Sequence, residues 1–210
     1  HMLALLSRWW GRRNDGALER KYASLRELCL RSFRQRFWNE SQLALYDVVD
    51  SPGGGNDDSV RPNQLMAVAL PGDLLERRQA AGVLSIVEKR LVTPRGLRTL
   101  SIESPAFRAH LDGAPAERAA AQHQGAVYPW LIGAYVDAVF RVQGRVPRAY
   151  ARAAAALEPF LESHLKEACL GQISECFNAA APHSPRGSFA HAAAVGEVTR
   201  AYLEVKGRIW

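Results

Sequence analysis

Apolar residues spaced three and four apart organise most of the chain. From Ala17 to Phe37, the residues Leu18, Tyr22, Leu25, Leu28, Cys29 and Phe33 recur at that spacing with Arg and Glu between them. This predicts a long amphipathic helix with those side chains turned inward. Phe37-Trp38-Asn39-Glu40 follows, and Leu45-Tyr46-Asp47-Val48-Val49-Asp50 reads as a short extended segment. Ser51 to Asn56 holds Pro52 and three glycines and is a flexible loop. Pro62 suits the first turn of a helix whose apolar residues run from Leu65 to Leu70, and Pro71-Gly72 ends it. Leu74 to Leu91 is the next helix, with Val83, Leu84, Ile86 and Val87 in its stripe.

The helical period then lapses from Thr93 to Gln122. A connection of that length inside a compact domain is either functional or disordered, and its aromatic and arginine content points to function. His123 to Trp130 opens a helix that continues through Leu131, Tyr135, Val136, Val139 and Phe140 to a turn at Gly144 and Pro147. Ala149 to Ala168 is Ala-rich and helical, with Leu157, Phe160, Leu161 and Leu165 on one face and a kink at Pro159. Phe189 to Val205 is the last helix. The short connections at Pro71-Gly72 and Gly144-Pro147 make antiparallel helical hairpins. The long polar-aromatic connections fall at one common end of the stack. The expected fold is therefore all-α, in the layout of a helical toroid with a site at one mouth. No repeat of fixed period is present, which disfavours a tetratricopeptide-type array.

Composition changes little in this picture. Hydrophobic residues make up 48% and charged residues 23% of 210, an ordinary globular balance that excludes disorder. The 27 Lys and Arg against 21 Asp and Glu give +6, but the arginines are scattered, so no nucleic-acid stripe is indicated. Cys29, Cys169 and Cys176 lack metal-ligand spacing and fit reduced thiols in a cytoplasmic protein. Leu3 to Trp10 is too short to span a bilayer and lacks the features of a secretory signal, so no membrane partner is expected. His1-Met2 reads as a cloning scar, residues 1–16 as an amino-terminal extension, and 17–210 as the main domain. Trp9-Trp10 is either a docking segment or part of a helix whose cover is missing.

One stretch carries candidate chemistry. Gly171 to Phe189 sets Glu175 in an apolar run between two predicted helical segments, just before Pro182, Pro185 and Gly187 turn the chain back. A sheltered carboxylate beside a rigid turn can act as a general base. Alternatively, Glu175 salt-bridges Arg186 or caps the next helix. Cys176 lies close to His183, but no Asn or Asp orienter stands in a recognisable motif, and a buried small thiol fits better than a nucleophile. His123, His183 and His191 have no ligand spacing, so neither a metal nor another cofactor is expected.

Seven stretches, in this order, resemble the carboxy-terminal domain of glycogen debranching enzyme, the amylo-alpha-1,6-glucosidase module. They are Phe37 to Glu40, Leu45 to Asp50, Ser59-Val60-Arg61-Pro62-Asn63-Gln64, Leu91 to Leu100, His123 to Trp130, Ile173-Ser174-Glu175 and Pro182 to Ala190. The resemblance implies part of an (α/α)6 toroid and an inverting glucosidase that removes the α-1,6-linked glucose at a trimmed glycogen branch. In such chemistry one carboxylic acid protonates the glycosidic oxygen while a carboxylate activates water on the opposite face, the two ~6.5–9.5 Å apart. By resemblance Glu175 matches the general base, and Arg61, Asn63, Gln64, Trp38, Arg98, His123, Gln124 and Tyr128 match substrate-binding positions. Most have a plainer alternative. Arg61, Asn63 and Gln64 can organise a helix start. Trp38, Tyr128 and Trp130 can be core, Trp130 above all. His123 can cap a helix, and Arg98 and Glu40 can pair with one another.

The chain also departs from the family. The Trp-Met-Asp-Ala stretch that carries the general acid is missing, and Asp47 and Asp58 are the available substitutes. Arg118-Ala119-Ala120-Ala121-Gln122, Cys176-Phe177-Asn178-Ala179 and His191-Ala192-Ala193-Ala194 replace stretches that hold a carboxylate or an aromatic in the family. The predicted helices make about half of a full ring. The expected function is an α-1,6-glucosidase-type hydrolase of branched α-glucan. The alternative is a non-catalytic half-toroid that binds glucan or a partner chain. An open ring exposes two apolar flanks, so self-association or pairing with an absent amino-terminal half is expected.

Overall fold

The computed structural model describes residues 1–207; the expected domain end at residue 210 lies outside them. Helix α1 (Met2–Gly11) turns into α2 (Gly16–Phe37), whose first turn is capped by Asp15 accepting the Leu18 N–H at 3.0 Å. The inner stripe of α2 runs through Leu18, Tyr22, Leu30, Phe33 and Phe37, with the stem of Arg26 completing it. Leu25, Leu28 and Cys29, expected to face inward, are exposed instead. The long apolar stem of Arg26 fills an inward position that a count of apolar residues assigns to its neighbours.

Trp38–Asn39 (β1) pairs antiparallel with Ala44–Leu45 (β2), and the Asn39 carboxamide oxygen accepts from Ser41 N–H and Oγ to close the turn. A bridge between Val48 and Asp57 closes the glycine loop. Helix α3 (Asn63–Ala69) begins directly after Pro62, and α4 (Arg77–Arg90) begins after Glu76, later than the apolar run suggests.

The chain is mainly helical, but the all-α expectation needs correction. Val92–Thr93 (β3), Gly96–Arg98 (β4), Val127–Tyr128 (β5), Cys176–Phe177 (β6) and Pro185–Arg186 (β7) form one antiparallel sheet in which each strand pairs with the next. The span from Thr93 to Gln122, expected to be a loop, contains β4 and helix α5 (Pro115–His123). His123 thus closes α5 rather than opening the following helix. Glu175 sits at the edge of strand β6, not between two helices.

Helix α6 (Leu131–Gln143) is the centre of the helical body. Nine of its residues are buried, and it packs against α3, α4, α7 (Pro147–Glu162) and α8 (Ala192–Val205). Ile132, Val136 and Val139 meet Val83 and Val87 of α4, Leu157 and Phe160 of α7, and Ala194, Val198 and Ala201 of α8 in one core. Small residues on α8 let the helices approach closely, while each large aliphatic side chain contributes roughly 1.5–3 kcal/mol by leaving water. After α7 comes a short 3-10 turn at His164–Lys166 instead of continued helix. Trp130, expected in the core, is 36% exposed. No helix among the described residues is long and apolar enough to cross a membrane.

Candidate functional site

The reversal between Phe177 and Pro185 makes a β6–β7 hairpin, with Cys176 opposite Arg186. It brings Ser188 back beside Glu175. The Glu175 N–H donates to the Ser188 carbonyl at 2.8 Å, and the Ser188 N–H donates to Glu175 Oε2 at 2.9 Å. Gly187, at φ +67°, makes this possible, since a Cβ there would lie 2.5 Å from the same oxygen. Among the described residues Oε1 accepts no hydrogen bond. Arg186, the plainer partner for Glu175, is engaged elsewhere, donating to Asp112 at 3.1 Å.

Tyr128 lies on the neighbouring strand. Burial, with the Cys176 and Glu175 side chains nearby adding to it, pushes its phenol up to about 12, so it is a neutral donor at ordinary pH. Burial likewise pushes the Cys176 thiol up to about 12, with Glu175 adding to the effect. That thiol is 1% exposed, which makes it an inert core group.

Beneath this edge is a support the sequence reading missed. His164 is fully buried, and its Nε2 accepts the Ser174 N–H at 3.1 Å, one residue before Glu175. Its Nδ1 faces Glu167 Oε2 at 3.3 Å, while Arg95 donates to Glu167 Oε1 at 2.7 Å and to the Pro159 carbonyl at 3.0 Å. The arrangement selects one tautomer, with the proton on Nδ1. Burial lowers the His164 pKa. Burial works to raise Glu167, yet the His164 hydrogen bond and the Arg95 charge hold its carboxyl below the usual range. The only sequence signal was the three-residue spacing of His164 and Glu167.

The other motif residues form a second cluster. Arg61 donates to the carbonyls of Thr99 at 3.2 Å and His123 at 2.5 Å and to Gln124 Oε1 at 3.1 Å, and its Nε lies 3.4 Å from Asp47. Asn63 donates to Asp47 at 2.8 Å. Gln64 is buried; it donates to the Arg61 carbonyl and accepts from Leu45 N–H. The His123 ring is exposed. Asp58 accepts from Gln42. The short run from Gln124 to Tyr128 joins this cluster to the Glu175 edge. Arg98 lies on β4 beside that run and donates to the Ala179 carbonyl at 3.3 Å; burial lowers its pKa, and its Nε has no partner among the described residues. Glu40 and Arg98 are not paired. Glu40 instead accepts from Trp38 at 2.6 Å and from Arg78 at 2.7 Å, while Trp38 pairs on its strand with Leu45, whose N–H bonds Gln64.

A groove of about 350 Å³ runs between α1, α2 and α3, lined by Leu30, Phe33, Met66 and Leu70 and ending at Asp47, Asn63 and Gln64; Glu175 does not line it.

A helical body thus carries a small meander, with a carboxylate held at the meander edge near a phenol on the neighbouring strand. The sequence profile of amylo-alpha-1,6-glucosidase matches residues 3–200, and the chain belongs to that family. Among solved structures the fold is similar to that of a chain described as a sialidase, with a TM-score of 0.70 and 14% identity. The match covers 96% of this chain and 18% of that one, so the present chain spans under a fifth of that relative. A comparison with curated proteins finds no match.

Proposed function

We propose that this chain is the base-bearing part of an (α/α)6 toroid domain that hydrolyses α-1,6-glucosidic branch linkages of glycogen-like glucan with inversion. The posture of Glu175 carries the reading: one oxygen is held by the Ser188 N–H, and among the described residues the carboxylate forms no ion pair. In this role Glu175 takes a proton from water as that water attacks the anomeric carbon. The leaving oxygen needs a proton from an acid on the opposite face, and neither Asp47 nor Asp58 is free of partners. The acid then comes from a complementing part of the ring. Residues 17–210 are the glucosidase-like unit, in a cytoplasmic setting. Arg98, with its unpartnered Nε, and the Tyr128 ring are the nearest sugar contacts. Asn63, Gln64, Gln124, His123 and Trp38 extend them, and Arg61 orients Gln124.

The absent acid favours a second reading, in which the chain binds glucan without turnover and pairs with another chain. Glucose release from a branched limit dextrin, abolished by Glu175→Gln, supports the hydrolase. Glucan affinity without release at high protein concentration supports the second reading. Neither affinity nor release would sink both.

A further inference from the structure

We propose that helix α1 is a docking face for an anionic phospholipid bilayer, along whose surface it lies. The inference does not rest on the glucosidase reading. Leu5, Arg8, Trp9 and Arg12 stand at i, i+3, i+4 and i+7, and Arg12, the capping residue, keeps helical backbone angles. The four therefore share one face of the helix. All four are exposed, and together with Leu6 they line one open hollow. The other side of α1 packs on α2, where Ser7 donates to the Glu19 carbonyl at 3.2 Å. Arg13, just past the helix end, lays its guanidinium over the Trp9 ring at 4.1 Å. Arg8, Arg12 and Arg13 form no ion pair among the described residues. Apolar and cationic groups are thus interleaved on one surface, without any need for His1-Met2.

This mixture selects the occupant. Ordinary helix packing over this face would strip water from Arg8 and Arg12 and leave them unpaired, which is costly. A nucleic acid would meet the arginines with phosphates but leave Leu5 in water. A second copy brings like charge against like, since residues 1–37 hold nine Arg and Lys against three carboxylates, a balance of +6. A bilayer interface supplies both chemistries within one side-chain length. Lipid phosphates meet the arginines at headgroup level, and acyl chains just beneath take Leu5 and Trp9. Tryptophan favours that boundary, and arginine stems snorkel out of it. The +6 balance also draws the helix pair towards an anionic surface before contact. Ten residues cannot span a bilayer, but lying along one requires no span. The expectation of no membrane partner concerned spanning and secretion, not surface attachment.

The test uses the full chain with phosphatidylcholine vesicles, with and without phosphatidylglycerol, and heparin as a soluble polyanion. Binding is followed by co-sedimentation at two salt concentrations, and insertion by quenching of tryptophan emission with brominated lipid. We expect binding to the anionic vesicles at least about tenfold tighter than to the neutral ones, and weaker at high salt. Arg8→Glu/Arg12→Glu and Leu5→Ser/Trp9→Ser, each checked for fold by circular dichroism, should each weaken it at least about tenfold. Arg31→Glu, an equal loss of exposed charge outside α1, should change it by no more than about threefold. Four results would overturn the proposal. They are no binding to anionic vesicles, tighter binding to heparin than to vesicles, affinity unmoved by Leu5→Ser/Trp9→Ser, or a loss in Arg31→Glu as large as in Arg8→Glu/Arg12→Glu.

Discussion

Arg61 donates to the carbonyl of His123 at 2.5 Å across 62 residues of sequence, and with its other nitrogen to Gln124 Oε1 at 3.1 Å. With Thr99 and Asp47 also engaged, the guanidinium ties the start of α3 to the end of α5 and to the edge of the meander. Lysine carries the charge but cannot reproduce a planar fork. Arg61→Lys should lose at least one charge-assisted hydrogen bond of about 1.5–3 kcal/mol. At roughly 2–4 °C per kcal/mol for a chain of this size, the melting temperature should fall by about 3–12 °C. A melt unchanged within about 1 °C would show that these bonds do not hold the loop.

The elements legible from apolar spacing were the ones whose stability comes from burying a stripe: α3, α4, α6, α7 and α8. Strands of two or three residues show no alternation, so β3 to β7 left no trace in the pattern. Helix α5 was hidden among alanines and arginines, although Pro115 at its first position and Glu117, accepting the Ala114 N–H at 2.7 Å, mark its start. The inner face of α2 was misplaced because one inward position belongs to Arg26. At the candidate site, the motif and the turn residues that follow it pointed to Glu175. Its surroundings were not legible, because Ser188, which bonds it, and His164, which bonds its neighbour Ser174, arrive only through chain reversals that local spacing does not encode.

The three cysteines should differ sharply in reactivity. Cys29 is exposed, Cys169 is partly buried, and Cys176 is buried with its thiol pushed up to about 12. An aromatic disulfide reagent at neutral pH should titrate Cys29 fast, and Cys29→Ser should remove the fast phase. Cys176 should react only after denaturant is added. A fast phase that survives Cys29→Ser and vanishes in Cys176→Ser would contradict the burial of β6.

Gly187 should be more sensitive than its exposed position suggests. An alanine there meets both a positive φ and the Glu175 carboxylate. The left-handed backbone alone costs roughly 1–2 kcal/mol. Gly187→Ala should therefore lower stability by about that amount and move Glu175 off the Ser188 N–H, whereas Glu175→Gln keeps the shape. Comparing amide spectra of the two variants separates the effects. If the Ser188 amide shifts equally little in both, Glu175 does not depend on this glycine.

His164 should make stability depend on pH, in a direction its contacts determine. In the folded chain the ring is buried and neutral, with Nε2 accepting the Ser174 N–H. Protonation would set one N–H against another in a site that water does not reach. The folded pKa therefore lies below the ordinary value of 6.5. Below that value the unfolded chain binds a proton that the folded chain refuses, so stability falls as the pH drops from about 6.5. The Glu167 carboxyl, held below its usual range, contributes stability above about 4.5 and loses it only further down, so it adds to the slope at lower pH. His164→Gln retains an acceptor for Ser174 but cannot titrate. It should cost stability at about pH 7.5 through lost packing against Phe177, and it should flatten the decline in urea midpoint between about pH 7 and about pH 5. Parallel declines in the two proteins would mean that another group carries the linkage. A flattened slope would show that the strand bearing Glu175 is anchored through a neutral imidazole.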